Sequence, residues 1–415
     1  MKILMINQPL NNRGDESAHR ALVNTILREI PEAFITVLFK EKKNTNQDDS
    51  IRQFTVDSPR VKYVVVRPFI SKGMSFIEKK GQQLNLHMLW RLHPGTRQFM
   101  SHFKNTDIVM CAPGGMCMGG FQRWGHVFQL QCAKYYNKPL VYYGRSFGPF
   151  PVLTKENLKF KNLSIEMLNY ISFLSIRDKK TEKIAKQLNI TNYISVVDSA
   201  FLETPSVELP IEIKKYISKT KYITFVPNLL IWHPDYKGLI AKDDVIDFYL
   251  NVLYILQEKF PTHAILMLPQ TFDCDTYDGN DINLFKEIKN RKKDDRIIVI
   301  NDSYSSNIQQ TIVANADLMI GARYHSIVFA INNNTPVIAL SYEHKIEGLL
   351  EALDKQDCLI DIQEDFKSIT GRNRILGKIR DMLQNIHYDM RAQNAAHEIA
   401  MNGFNKFKEY IYNLK

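Results

Sequence analysis

Short runs rich in Val, Ile and Leu recur along the chain at intervals that leave room for one helix between them. The first, KILMIN (2–7), is followed by a segment in which Ala18, Leu22, Ile26 and Ile30 repeat near helical spacing until Pro31 closes it. Further runs are ITVLFK (35–40), KYVVVRP (62–68), DIVMCAP (107–113), PLVYYGRSF (139–147), FLSIRD (173–178) and YISVVDSAF (193–201). They are continuously apolar and do not alternate, which predicts strands buried on both faces, and so a parallel sheet flanked by helices. The stretch LETPSVELPIEIKKYISKTK (202–221), with two prolines and a lysine run, reads as a linker.

After it the pattern restarts with YITFVPN (222–228), HAILMLPQ (263–270), RIIVIND (296–302), DLMIGA (317–322) and PVIALSY (336–342), and with helical segments such as DVIDFYLNVLYILQEKF (244–260). Two successive strand–helix halves predict an α/β protein of two Rossmann-like domains facing a cleft. Residues 1–205 form the N-terminal one, 215–385 the C-terminal one, and 386–415 a closing helix. Ligands of such sheets bind beyond the carboxyl ends of the strands, so the residues just after each run are where chemistry is expected.

At 415 residues and 45% hydrophobic the chain has enough apolar material for two cores. Lys and Arg outnumber Asp and Glu by 54 to 44, a formal charge of +10, which favours anionic partners. Nucleic acid is set aside, since no helix-turn-helix, ribonucleoprotein-type aromatic motif or basic repeat occurs. The cysteines, Cys111, Cys117, Cys132, Cys274 and Cys358, are odd in number and scattered. They point to reduced thiols in a cytoplasmic protein and offer no metal-ligand spacing, so no metal is expected. No run of about 18 apolar residues occurs to span a bilayer. A peripheral contact with the inner membrane face is carried by HMLWRLHPGTRQFMSHFK (87–104), which mixes apolar and basic side chains. The competing reading makes it an ordinary helix packed on the sheet.

Several strand ends carry candidate chemistry. In NQPLNNRGDE the carboxylate of Asp15 suits a helix cap, while Asn12, Asp15 and Glu16 could equally face a ligand's hydroxyl groups or proton. The loop APGGMCMGGFQRWG (112–125) holds five glycines, among them Gly114 and Gly115, which let backbone N–H groups approach an anion. It is neither a dinucleotide fingerprint nor a phosphate-binding loop with G-K-[ST]. A second glycine loop, YGRSFGP (143–149), carries Arg145. Arg177 ends its run beside Asp178, a ready ion-pair partner or cap for the next helix, and Arg323 ends a run of the other half. Guanidinium forks converging from the two halves would clamp a dianion. His325 stands at the start of SIVFAI, where a helix N-terminus attracts phosphate, and Lys345 adds a cation on the same edge.

Taken in order, NRGDE, PGGMCMGG, YGRSFGP, LSIRD, VVDSAF and ARYHSIVFAINNNTPVIALSYEHK resemble the polysaccharide pyruvyl transferase family over residues 2 to about 353. Arg145, Tyr324, Met116 and Cys117 depart from the family pattern, which bears on the acceptor. The resemblance implies a glycosyltransferase B-like architecture and phosphoenolpyruvate as donor substrate, with no cofactor. It also implies a donor pocket of Arg177, Arg323, Tyr324 and His325, with Lys345 beside it. The acceptor it implies is a glycan of a cell-surface polysaccharide, finished or lipid-linked, onto which pyruvate is placed as a ketal. Such chemistry needs an acid, a base and a phosphate clamp. His325 is the candidate acid, Asp15 or Asp198 the candidate base. The alternative reading is a nucleotide-sugar glycosyltransferase on the same scaffold, with Glu343 or Glu347 holding a ribose.

Overall fold

A computed structural model describes residues 1–9, 12–40, 55–66, 72–84, 87–115, 118–119, 122–272, 280–300, 304–385 and 391–414. Met116, Cys117 and Cys274, singled out in the sequence, lie outside the described residues. The chain forms two compact units, one of Met1–Leu10, Ala18–Leu202 and Ile399–Lys415, the other of Asn11–Ser17 and Glu203–Glu398.

The first unit holds seven parallel strands, β1 (Lys2–Ile6), β2 (Phe34–Lys40), β3 (Val61–Val66), β4 (Ile108–Cys111), β5 (Leu140–Tyr142), β6 (Phe173–Ile176) and β7 (Ile194–Ser195). Their order is β3-β2-β1-β4-β5-β6-β7. Central strands β4 and β6 are buried at every residue, as continuous apolar runs require, whereas β3 is partly exposed along most of its length. The run 193–201 yields only a two-residue strand, because Asp198 Oδ1 accepts from the backbone of Ala200 (3.0 Å) and turns the chain into the 3₁₀ helix Ser199–Leu202. The helix Arg391–Asn413 ends in this unit, with Phe407 against the rings of Tyr143 and Phe173 at 5.6 and 5.5 Å.

The second unit has six parallel strands, β8 (Tyr222–Val226), β9 (Ala264–Met267), β10 (Ile297–Val299), β11 (Met319–Gly321), β12 (Val337–Ser341) and β13 (Leu359–Asp361), ordered β10-β9-β8-β11-β12-β13. Both sheets therefore reverse direction of growth beside their first strand, the topological switch point at which α/β sheets bind ligands. The helix Tyr324–Asn332 is buried from His325 onward, which explains why SIVFAIN is apolar all round. The stretch that reads as a linker is built into this unit. It carries the helix Ile211–Ile217, buries Leu209 and Ile213, and donates from Val207 N to Thr311 Oγ1 (3.1 Å). Among the described residues no helix is long and apolar enough to cross a membrane. Cys111, Cys132 and Cys358 are buried and form no disulfide with one another among the described residues.

Candidate active site

In the first unit the strand-end residues are turned inward. Arg145, 1% exposed, donates through Nη1 to the carbonyls of Asn7 (3.2 Å) and Ala112 (2.6 Å) and approaches Cys111 Sγ (3.4 Å). Its Nε donates to Gly115 O (3.1 Å), and Gly114 forms a parallel bridge with it. The guanidinium thus gathers carbonyls released at the ends of β1 and β4, and it shapes the glycine loop of Gly114 and Gly115. Of the two roles open to Arg145, loop or acceptor residue, these bonds support the loop.

Arg177, at the end of β6, pairs with fully buried Asp198 and not with its neighbour Asp178. Asp178 caps the helix Lys179–Gln187, accepting from Thr181 N (2.8 Å) and from Ser146 Oγ (2.6 Å). Asp198 is occupied as the acceptor for both Arg177 and the Ala200 backbone.

In the second unit the turn after β1 supplies a different kind of group. Asn12 caps the first helix, Arg13–Glu29, its Oδ1 accepting from Gly14 N (2.7 Å) and Asp15 N (3.4 Å). The cap is therefore Asn12, and Asp15 lies in the first turn, partly exposed. Arg13 N donates to Gln270 O (2.9 Å), and Asn12 bridges Thr271, which ties the turn to the end of β9. Glu16 is fully buried. One oxygen accepts from Ser306 N and Oγ (3.0 Å each) at the start of the helix Ser306–Ala314, and the other from Arg13 Nη1 (3.1 Å). Its carboxylate complements that helix N-terminus and does not face a ligand hydroxyl.

Gly14 matters for what it lacks. A Cβ there would lie 1.8 Å from ring atoms of His325, so the turn and the imidazole touch directly and only glycine fits. Asp15 is the next residue, so the turn that carries the candidate base meets the candidate acid at Gly14. Tyr324 meets the His325 ring edge-on at 5.0 Å.

Arg323 stands at the N-cap position of the helix Tyr324–Asn332, just after β11, and its side chain turns instead to pair with Asp281. The other Asp281 oxygen accepts from the backbone of Gln270 (2.9 Å) and Thr271 (3.0 Å), which fixes the carboxylate. Burial alone would lower the guanidinium's pKa, but the Asp281 carboxylate, with Tyr342 and Tyr249, more than offsets it, so the group is held above its usual value. Trp232 lies over Arg323 at 5.9 Å.

Beyond β12, Lys345 Nζ reaches Glu343 Oε1 at 3.2 Å, Tyr342 OH donates to the same oxygen (3.2 Å), and His233 Nε2 lies 4.0 Å from the other. Burial pushes the Glu343 carboxyl up; Lys345, with His344 and His233, pulls it below the ordinary range. Arg323 and Lys345 are thus each matched by a carboxylate, Asp281 and Glu343. Arg13, Asp281, Trp232 and His233 were not singled out in the sequence. Asp281 had one usable signal, the Asn-Asp pair opening the helix Asp281–Lys292.

Two Rossmann-like sheets with charged residues at their carboxyl edges define a protein of glycosyltransferase B-like architecture. Solved structures agree. The chain is similar to a putative UDP-N-acetylglucosamine 2-epimerase from Listeria monocytogenes, with a TM-score of 0.57, 12% identity, and coverage of 96% of this chain and 91% of that one. It is also similar to TcCGT1 in complex with UDP, with a TM-score of 0.60, 12% identity, and coverage of 100% and 99%. At that identity the likeness concerns the fold alone. The chain belongs to the polysaccharide pyruvyl transferase family, whose model matches residues 12–344. A curated relative, the amylovoran biosynthesis protein AmsJ of Erwinia amylovora, is 22% identical over 408 residues, covering 93% of this chain and 94% of AmsJ.

Proposed function

We propose that this pyruvyl transferase takes its pyruvyl group from phosphoenolpyruvate and closes it as a ketal over two hydroxyls of a sugar in a polysaccharide or its lipid-linked precursor. The observation that carries the reading is the contact of Gly14, the residue before Asp15, with the imidazole of His325, which lies in the first turn of its helix two residues after Arg323. A phosphate and a carboxylate call for fixed donors and a helix N-terminus, and Arg323, Tyr324, His325 and Lys345 supply them.

In the proposed course His325 delivers a proton to the methylene carbon of the enol phosphate, and a sugar hydroxyl adds to the adjacent carbon while Asp15 takes its proton. Departure of phosphate then lets the second hydroxyl close the ketal, its proton leaving with the phosphate. Atoms balance as one enol phosphate and one diol giving one ketal and one phosphate. Asp198 is reserved for holding Arg177, which stays a candidate clamp residue in the first unit.

Incubation with phosphoenolpyruvate and candidate glycan acceptors tests the proposal. The expected result is phosphate release in step with an acceptor mass gain of one pyruvate ketal. Thermal shift with phosphoenolpyruvate set against UDP-sugars separates it from glycosyl transfer, for which Glu343 is poorly suited while engaged by Lys345 and Tyr342. Stabilisation by UDP-sugars alone overturns the reading.

A further inference from the structure

We propose that the face built by the helices Lys72–Gln83 and Met88–Leu92 of the first unit docks on an anionic lipid bilayer. The segment around them already satisfies its core. Trp90 is fully buried against Phe128 (5.0 Å) and His87 (4.4 Å), and Phe99, Met100 and Phe103 are buried below it. That accounts for half of the apolar content, as an ordinary packed helix would.

The other half points outward. Met88 is 81% exposed, Leu92 72%, Phe76 60% and Leu84 56%. Phe76, Lys80 and Leu84 follow one another at four-residue spacing, so they form one stripe on the helix and its end. Met88 and Leu92 repeat that spacing, with exposed Arg91 between them. Lys79 pairs with Glu156 (2.5 Å) on the helix Lys155–Tyr170, whose N-terminal flank carries Leu153, 89% exposed. Single exposed apolar residues are ordinary on a soluble protein, whereas a cluster on successive short helices marks an interaction surface.

Charge selects the occupant. Residues 72–92 contain four Lys or Arg and one Glu, and of the four only Lys79 is engaged in a described ion pair, with Glu156. Apolar side chains set among cations match the acyl boundary and headgroups of an anionic bilayer. A second copy meeting this face by two-fold symmetry would bring like charges together, which disfavours self-association.

Co-sedimentation of the full chain with vesicles of phosphatidylcholine alone, and of phosphatidylcholine mixed with phosphatidylglycerol, reads it out. Binding to the mixed vesicles, weakened by salt, is the expected result. Met88→Glu with Leu92→Glu lowers it by about tenfold or more. Lys80→Ala and Arg91→Ala lower it by roughly fivefold each. Both sets keep the wild-type melting temperature and turnover on a soluble acceptor. Pelleting no greater with phosphatidylglycerol than without, or variants that pellet like wild type, overturns the proposal. So does a dimer in sedimentation velocity that Met88→Glu dissociates while vesicle binding is absent.

Discussion

Arg145 and Arg323 both stand where a parallel strand of a Rossmann-like sheet ends, yet their surroundings differ in kind. Arg145 is surrounded by neutral acceptors, the carbonyls of Asn7, Ala112 and Gly115. Arg323 faces one carboxylate, Asp281, and keeps 12% of its side chain exposed. A guanidinium committed to main-chain carbonyls is part of the fold, since removing it leaves buried acceptors unmet. One held by a single carboxylate at a partly open edge keeps further N–H groups for an arriving anion. The same residue type at the same kind of address therefore serves structure in the first unit and is available for chemistry in the second.

The sharpest way to break that contrast is to remove Arg323. Arg323→Ala should lower kcat/KM for pyruvyl transfer by on the order of 10³, the scale for losing a charge aimed at the reacting group. Arg323→Lys should recover only part, because an ammonium lacks the planar fork. Turnover near wild type in the alanine variant would end the assignment. Arg145→Ala should do the converse. We expect a loss of about 3 kcal/mol in urea unfolding with unchanged turnover by the folded fraction. Lost turnover without lost stability would instead make Arg145 a ligand-facing group.

Much of this was legible in the chain. Continuous apolar runs announced parallel strands buried on both faces, and both sheets follow. Arg323, Tyr324 and His325 could be placed at a helix start because DLMIGA ends abruptly and SIVFAI is apolar all round. What stayed hidden were pairings across long sequence separations. Nothing local says that Glu16 will cap a helix 290 residues away, that Arg177 will choose Asp198 over adjacent Asp178, or that Asp281 will hold Arg323. Those choices are made by tertiary packing, which brings strand ends side by side without leaving a sequence period. The cap was misjudged for a similar reason. Asp15 and Asn12 are both good capping residues, and the helix starts one turn earlier than Asp15 implies.

Gly14 offers a smaller but more pointed test. Gly14→Ala puts a methyl group where the His325 ring lies, so the ring must shift by an ångström or more. A displacement of that size should reduce kcat/KM by about 10². If the effect acts through the imidazole, adding His325→Ala to Gly14→Ala should cost no more than His325→Ala alone. Additive losses would separate the turn from the histidine.

The mildest effect concerns the first unit's core, where His19 is buried with its Nε2 3.1 Å from Tyr63 OH. Burial, with Arg20 nearby, lowers its pKa to about 3. The unfolded histidine takes up a proton near pH 6.5, while the folded one resists until about pH 3. Between those values the unfolded chain binds more protons, so stability falls with falling pH, by at most about 1.4 kcal/mol per unit, and is fully present above pH 6.5. Glu343 in the second unit has its carboxyl held below the ordinary range, so its contribution is fully present at pH 5 and is lost only below the ordinary carboxylate range. Hydrogen exchange at pH 5 should therefore show β1 and β2 losing protection before β11 and β12. His19→Gln, which keeps a polar atom for Tyr63, should flatten that dependence. An unchanged profile in the glutamine variant would mean that the acid response of the first unit originates elsewhere.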